Sequence, residues 1–402
     1  MTGPIDIGIV GTFDVENYGD LLFPLLAQAE LGRRMPARVV PYSYNAHSTP
    51  GWPYDVRAVA DLADTGAGLG GLLVGGGQLV RSDTYFPIAV PPGTAVPYDI
   101  WLLPALAGLA LGVPVVWNAI GAWEGGVAFA PAVRDLVAAV LHGSERVAVR
   151  DAITAQVFDA IAGRAVASEV PDTGFGLRRL VDRAAPSAPY AAWRRAHGIT
   201  GPYVAIQATE HLAPSRAALL QLRALLPETK FVLLPICKVH GDRGGLAHFG
   251  GLEAVIDDAF LAPALFAEII AHAQVAVGSS LHFGITAIAF GVPLLRTAGY
   301  ADKKYRILDQ FAGTALLRPD VTRETIARLA AAAAADTQVA VRARNVDAYW
   351  DDVAGLLGRD SGARDGPRDR APNRRALAAW ALGTARRQVA GFESAAVRFL
   401  HR

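Results

Sequence analysis

The stretch Val277-Gly-Ser-Ser-Leu-His-Phe-Gly-Ile-Thr-Ala-Ile-Ala-Phe-Gly-Val-Pro293 sets polar residues and one histidine between a short apolar strand and an apolar, small-residue helix. In a parallel α/β domain such a junction lies at the carboxyl edge of the sheet, where ligands bind. His282 is therefore expected at the mouth of a site, although a helix start can also carry a serine and a histidine for structural reasons alone. The same alternation extends outward. Pro263–His272 reads as a helix with proline in its first turn, Ala273–Val277 as a strand, Thr286–Phe290 as helix and Pro293–Arg296 as a strand, with another helix from Lys304. Tyr203–Gln207 and Lys230–Leu234 are strands around a helix over Ser215–Leu226, with Ser215 as its N-cap. Toward the N-terminus, strands are expected at Ile5–Val10, Ala37–Tyr42, Gly71–Val74, Pro114–Asn118, Arg146–Val149 and Ala165–Val170, with helices over Leu21–Leu31 and Trp101–Leu111. Short strands alternating with helices predict α/β architecture with parallel sheets covered on both faces. Thr322–Asn345 reads as one long alanine-rich helix.

At 402 residues the chain exceeds what one core usually organises, so two domains are expected. The Ala- and Pro-rich segment Arg179–Tyr190 and the turn-like His197-Gly-Ile-Thr-Gly-Pro202 mark the division. This gives an N-terminal domain over 1–185, a C-terminal domain over 200–345, and a linker with a basic amphipathic helix over 346–402. From Arg359 onward ten arginines face three aspartates and one glutamate, a net of +6. Such a helix can lie on an anionic membrane surface or pack back on the N-terminal domain.

The whole chain carries a net charge of only +1, which gives no global attraction to nucleic acid, and the basic tail lacks an interleaved aromatic pattern. No nucleic-acid partner is expected. Cys237 is the one cysteine, so an intrachain disulfide is excluded, which fits a cytoplasmic location. Met1–Pro4 has no basic region and Asp6 interrupts the first apolar run, so the start does not read as a signal peptide. The apolar stretch Ile100–Ile120 is divided by Pro104, Gly108, Gly112 and Pro114, against a membrane span.

Several clusters follow strands. Gly11-Thr-Phe-Asp-Val-Glu-Asn-Tyr-Gly-Asp20 lacks the GxGxxG spacing of a dinucleotide fold, but Asn17 and Asp20 can orient hydroxyls; Asp20 can equally be a helix cap. Gly75-Gly-Gly77-Gln78, running on to Asp83, is not a phosphate-binding P-loop because no GK[ST] follows; it is either a ligand-facing loop or a structural turn. Arg150 can grip an anion through its planar fork or pair locally with Asp151, and Asp172 follows the next strand. In the C-terminal half, Gln207–His211, Pro235–His240, Ser279–His282 and Thr297–Lys304 all fall at strand ends. Lys238, Arg296, Lys303 and Lys304 supply charge, and His211, His240 and His282 supply groups suited to proton transfer. The histidine spacing fits no metal motif, so neither a metal nor a cofactor is expected. Trp52, Tyr54, Tyr85, Trp117 and Trp123 can stack on sugar rings or belong to the core. Together these residues argue for an anionic small molecule, preferably a phosphate.

In this order, the motifs resemble the polysaccharide pyruvyltransferase family. The resemblance rests on G-x5-N-x-G-D at Gly11–Asp20, the triple glycine Gly75–Gly77, Arg150-Asp151, D-x-x-F at Asp172–Phe175, Ser280-Leu-His282 with Gly291-Val-Pro293, and the lysine loop Asp302–Lys304, spanning about residues 5–312. It implies two Rossmann-like domains facing a cleft, similar to GT-B glycosyltransferases, with the N-terminal domain on the acceptor side and the C-terminal domain on the donor side. It implies phosphoenolpyruvate as donor, a glycan or lipid-linked saccharide as acceptor, and a pyruvate ketal plus phosphate as products, in the cytoplasm or at the inner face of the membrane. His282, Asp20 and Asp172 would then be catalytic. Ser279, Ser280, Lys238, Arg296, Lys303, Lys304 and Arg150 would hold the donor, and Asn17, Gly77, Gln78 and Asp83 the acceptor. Many members carry arginine where this chain has Ser280, so Lys238, Arg296, Lys303 or Lys304 must compensate, or the donor differs. The alternatives are a glycosyltransferase of the same shape using a nucleotide sugar, and a non-catalytic glycan-binding protein.

Overall fold

The computed structural model describes residues 3–82, 96–123, 128–242, 246–297 and 303–358. The chain forms two compact units: one from residues up to Val15, Phe23–Thr173 and Asn345 onward, the other from Glu16–Leu22 and Gly174–Arg344. Each is built on a parallel sheet. In the first, β1 (Ile5–Val10), β2 (Ala37–Ser43), β3 (Arg57–Ala58), β4 (Gly71–Val74), β5 (Val115–Ile120), β6 (Arg146–Val149) and β7 (Ala167–Glu169) run in the order β3-β2-β1-β4-β5-β6-β7. In the second, β8 (Tyr203–Gln207), β9 (Lys230–Leu234), β10 (Val255–Ile256), β11 (Val275–Val277), β12 (Leu294–Arg296) and β13 (Thr314–Leu316) run β10-β9-β8-β11-β12-β13. Among the described residues, every pairing between these strands is parallel.

The central strands read clearly because they are buried on both faces: β4, β5 and β8 are buried throughout. The edge strands β3 and β10, of two residues each, and β13 leave no such run and escape the sequence pattern. In the first unit the helix Leu102–Ala110 is buried along nearly its whole length. Trp101, Trp117 and Phe158 pack beside it, with Trp117 5.2 Å from the Phe158 ring and 6.3 Å from that of Trp101. Trp117 is 0% exposed and its indole N–H donates to Ser144 Oγ at 2.9 Å, so it is core and not a sugar platform. Trp123 is 37% exposed, with the Arg81 guanidinium over its ring.

The expected single helix after Thr322 is two, Arg323–Ala335 and Thr337–Leu357. Asp336 interrupts it in an extended conformation. Its carboxylate accepts from Ala312 N at 2.8 Å and from Gln338 N at 2.9 Å, satisfying the start of the next helix. That helix runs past the expected limit at Asn345, and its last turns complete the first unit. Leu357 lies over Gly71, where a Cβ would come within 2.3 Å, and Arg34 bonds Asp347 and Asp351 at 3.0 and 2.7 Å. Tyr349 donates to Asn118 Oδ1 at 2.9 Å in a fully buried setting. Tyr349→Phe should therefore lower stability by about 1–2 kcal/mol in urea unfolding, because the amide oxygen loses its donor without gaining water. Among the described residues no helix is long and apolar enough to cross a membrane. The basic tail from Arg359 lies outside the described residues.

Candidate active site

In the second unit the strand order reverses between β8 and β11, and the carboxyl edge of such a switch point is where open α/β sheets bind ligands. Gln207 ends β8, and Gly278-Ser-Ser280 leaves β11. The Gln207 Oε1 accepts from Ser279 N at 3.0 Å and Ser280 N at 2.8 Å. Gly278 makes room for this: a Cβ there would lie 2.9 Å from Gln207 Cβ and 3.0 Å from Oε1. Ser280 takes the N-cap position of the helix Leu281–Ala289 in an extended conformation. The helix thus starts earlier than the sequence pattern suggests, and half-buried His282 sits on its first turn.

The N-terminal loop supplies the other side of the imidazole. Glu16–Tyr18 lies antiparallel to Ile236–Lys238: Tyr18 N donates to Ile236 O at 2.9 Å, Lys238 N donates to Glu16 O at 3.1 Å, and Asn17 bridges Cys237. Gly19 follows, and a Cβ on it would fall 2.0 Å from His282 Nδ1. Glycine is required there by space, since only a bare backbone fits against the ring. The Tyr18 ring is buried and stacks on Phe266 at 4.7 Å. Its hydroxyl meets Thr286 Oγ1 at 2.7 Å, and Thr286 Oγ1 donates to the His282 carbonyl at 2.7 Å. Burial raises the Tyr18 phenol well above its ordinary pKa, so it serves as a neutral strut. Asn17 Nδ2 donates to Asp20 Oδ2 at 2.8 Å. Because the helix Tyr18–Gly32 starts before it, Asp20 is in the first turn and is not its N-cap.

The structure thus brings Asn17 and Asp20 into the same unit as His282, with Gly19 touching it. Ser279, expected to touch the donor, is 1% exposed and its hydroxyl turns onto Thr297, so its side chain braces the loop instead. Lys238 is also committed: its Nζ bonds Asp258 O at 2.7 Å and pairs with Glu16 at 2.9 Å, clipping the N-terminal loop down. Arg296 is 7% exposed and ion-paired with Asp309. Lys303 and Lys304 open the turn Lys303–Gln310, but their side chains, like those of His211 and His240, lie outside the described residues.

The remaining predicted residues belong to the first unit. Arg150 and Asp172, after β6 and β7, are 6% and 2% exposed and face each other at 3.1 Å; the arginine's nearer partner is Asp172, not the adjacent Asp151 at 3.9 Å. A Cβ on Gly121 would lie 2.7 Å from Arg150 Nε, so the guanidinium is packed beneath the loop after β5. Arg150, expected to hold the donor, and Asp172, expected to be catalytic, thus form a buried ion pair beneath that loop. Gly77 adopts φ +79, and Gln78 donates to Ala122 O at 2.9 Å. Asp83 and Tyr85 lie outside the described residues.

Sequence reasoning did not single out Asp242. It is 4% exposed, and its carboxylate accepts from Ile236 N at 3.1 Å and Cys237 N at 2.9 Å as well as from Thr209 and Gln207. Burial pushes its pKa up to about 6 against the pull of those donors. A carboxyl raised in the folded state binds more protons there than in the unfolded chain between pH 3.8 and about 6. Its contribution to stability is therefore full below that window and lost as pH rises through about 6, on the order of 2–3 kcal/mol. Unfolding midpoints compared at either end of the window should show this loss in the native chain and not in Asp242→Asn.

The family model described as polysaccharide pyruvyl transferase matches residues 17–297, from Asn17 of the loop to Thr297 beside Ser279. No curated protein matches the sequence. Among solved structures, UDP-GlcNAc 2-epimerase from Methanocaldococcus jannaschii aligns at TM-score 0.54 and 10% identity, over 89% of this chain and 100% of its own. UDP-GlcNAc 2-epimerase from Neisseria meningitidis, bound to UDP-GlcNAc, aligns at TM-score 0.54 and 10% identity, over 88% and 100%. A glycosyltransferase from Rickettsia africae aligns at 0.51 and 9%, over 90% and 100%. At such identities the likeness shows the fold, two Rossmann-like domains of the GT-B-like kind. The family match across most of the chain, including the loop and the helix that meet at His282, places this protein in the polysaccharide pyruvyl transferase family, as an enzyme of the transferase class.

Proposed function

We propose that the protein transfers the pyruvyl group of phosphoenolpyruvate onto two hydroxyls of a glycan sugar, as a ketal, with release of phosphate. The observation that carries this reading is the imidazole of His282 held at the switch point of the second unit by the backbone of Gly19. The chemistry asks for such a group. His282 donates a proton to the methylene carbon of the enol phosphate, which becomes a methyl group. A sugar hydroxyl adds to the adjacent carbon, and a second hydroxyl displaces phosphate. The two hydroxyl protons balance the one gained by the methyl group and the one leaving with phosphate. Asp20, which accepts a hydrogen bond from Asn17, orients or deprotonates an acceptor hydroxyl. The positive end of the helix Leu281–Ala289, with Ser280 at its start and Lys303 and Lys304 in the loop after β12, supplies the field for the donor phosphate.

The glycan can be a polysaccharide or a lipid-linked saccharide in the cytoplasm or at the inner membrane face, and the ketal leaves it with a free carboxylate. The test is a screen of phosphoenolpyruvate against varied glycans, following inorganic phosphate. Phosphate release that depends on a glycan is expected. Nucleotide release from a sugar nucleotide, with none of phosphate from phosphoenolpyruvate, would replace this reading with that of a glycosyltransferase.

A further inference from the structure

We propose that Asp242 is a positioning residue for His282, fixing from one buried carboxylate both the start of the helix that carries the histidine and the segment that carries Gly19. The inference rests on the role given to His282 above and adds to it what holds the ring in place.

The first route runs through Gln207. This residue is 4% exposed and bonds Asp242, which has only acceptor oxygens to offer when ionised, so the amide nitrogen faces the carboxylate. The amide oxygen is thereby turned to Ser279 N and Ser280 N, at 3.0 and 2.8 Å, the two residues that lead into the His282 helix. Were the amide reversed, its NH2 group would face two N–H donors. The carboxylate therefore dictates the orientation that the loop requires. Thr209, 3% exposed, bonds the same carboxylate.

The second route runs through the backbone. Asp242 Oδ2 holds Ile236 N at 3.1 Å and Cys237 N at 2.9 Å. The same residues carry the N-terminal loop: Ile236 O accepts from Tyr18 N at 2.9 Å, and Asn17 bridges Cys237. The next residue along, Gly19, presses its backbone on the imidazole. The ring is thus held between two elements that are both tied to one carboxylate, so a shift at Asp242 moves both. Asparagine at this position keeps the volume but sets an NH2 group against a site built from four donors.

The test uses the full chain with phosphoenolpyruvate and an accepted glycan. Asp242→Asn and Gln207→Leu should each lower kcat by about 10- to 100-fold with KM for phosphoenolpyruvate nearly unchanged, the expected result of a misplaced reacting group. In a His282→Ala background neither should cause further loss, because each acts through the ring that is gone. The imidazole resonance of His282, assigned by its absence in His282→Ala, should shift in both variants. If Asp242→Asn fails to fold, Gln207→Leu carries the same three readouts. Full turnover in Asp242→Asn, or an equal loss added on top of His282→Ala, would overturn the proposal. If His282→Ala proves fully active, it is the role of the histidine that fails; the resonance shift then still decides whether Asp242 positions the ring.

Discussion

His282→Ala should lower turnover by about 10²–10⁴-fold, the range supplied by a positioned general acid, while the protein unfolds at nearly its native midpoint. The size follows from the chemistry: without a proton at its methylene carbon, the enol phosphate offers no electrophilic centre to a sugar hydroxyl. The modest effect on folding follows from location. The side chain is half-buried on a first helical turn, and its removal leaves the Tyr18–Thr286 contact and the Gln207 bonds in place. A loss in kcat with little change in KM for phosphoenolpyruvate would mark an interaction made in the transition state. A variant with native turnover would remove the histidine from the reaction.

Gly19→Ala should be nearly as damaging to turnover, although it adds a single methyl group. That methyl would lie 2.0 Å from Nδ1 and 2.6 Å from Cγ of His282, closer than atoms can stand, so the ring must swing aside. A misplacement of about 1 Å at a reacting group costs on the order of 10²-fold. The strain should also destabilise the fold by about 1–3 kcal/mol, as overpacking does. The two effects can be tied to one cause with a double-mutant cycle. In His282→Ala the ring is gone and only Cβ remains, 3.0 Å from the added methyl, so adding Gly19→Ala there should cost no further turnover and much less stability than in the native chain. Additive losses would show that Gly19 matters for some other reason.

These two residues also show what could be read from the sequence. Asn17, Gly19 and Asp20 stood out as a motif, and so did His282, but nothing along the chain says that Gly19 is glycine because of His282. That reason exists only once the loop has been laid along Ile236–Lys238. The central strands were legible because burial on both faces writes an unbroken apolar run, whereas the edges β3 and β10 are too short to write one. Charge was the least reliable guide. Lys238 and Arg296 were singled out as cations, and their partners Glu16 and Asp309 could not be assigned from spacing. Arg150 pairs with Asp172 across the ends of two strands, a partner that spacing along the chain does not reveal. Asp242 carried no signal, being one aspartate in a glycine-rich turn whose four donors come from two separate strand ends.

The most direct measurement is mass spectrometry and NMR of the glycan product after reaction with phosphoenolpyruvate in deuterated water. The account predicts a carboxyethylidene ketal whose methyl group carries a deuterium taken from solvent through His282, with one phosphate released per ketal formed. A glycan left unchanged by active enzyme that instead consumes a nucleotide sugar, or a ketal formed at the native rate by His282→Ala, would contradict it.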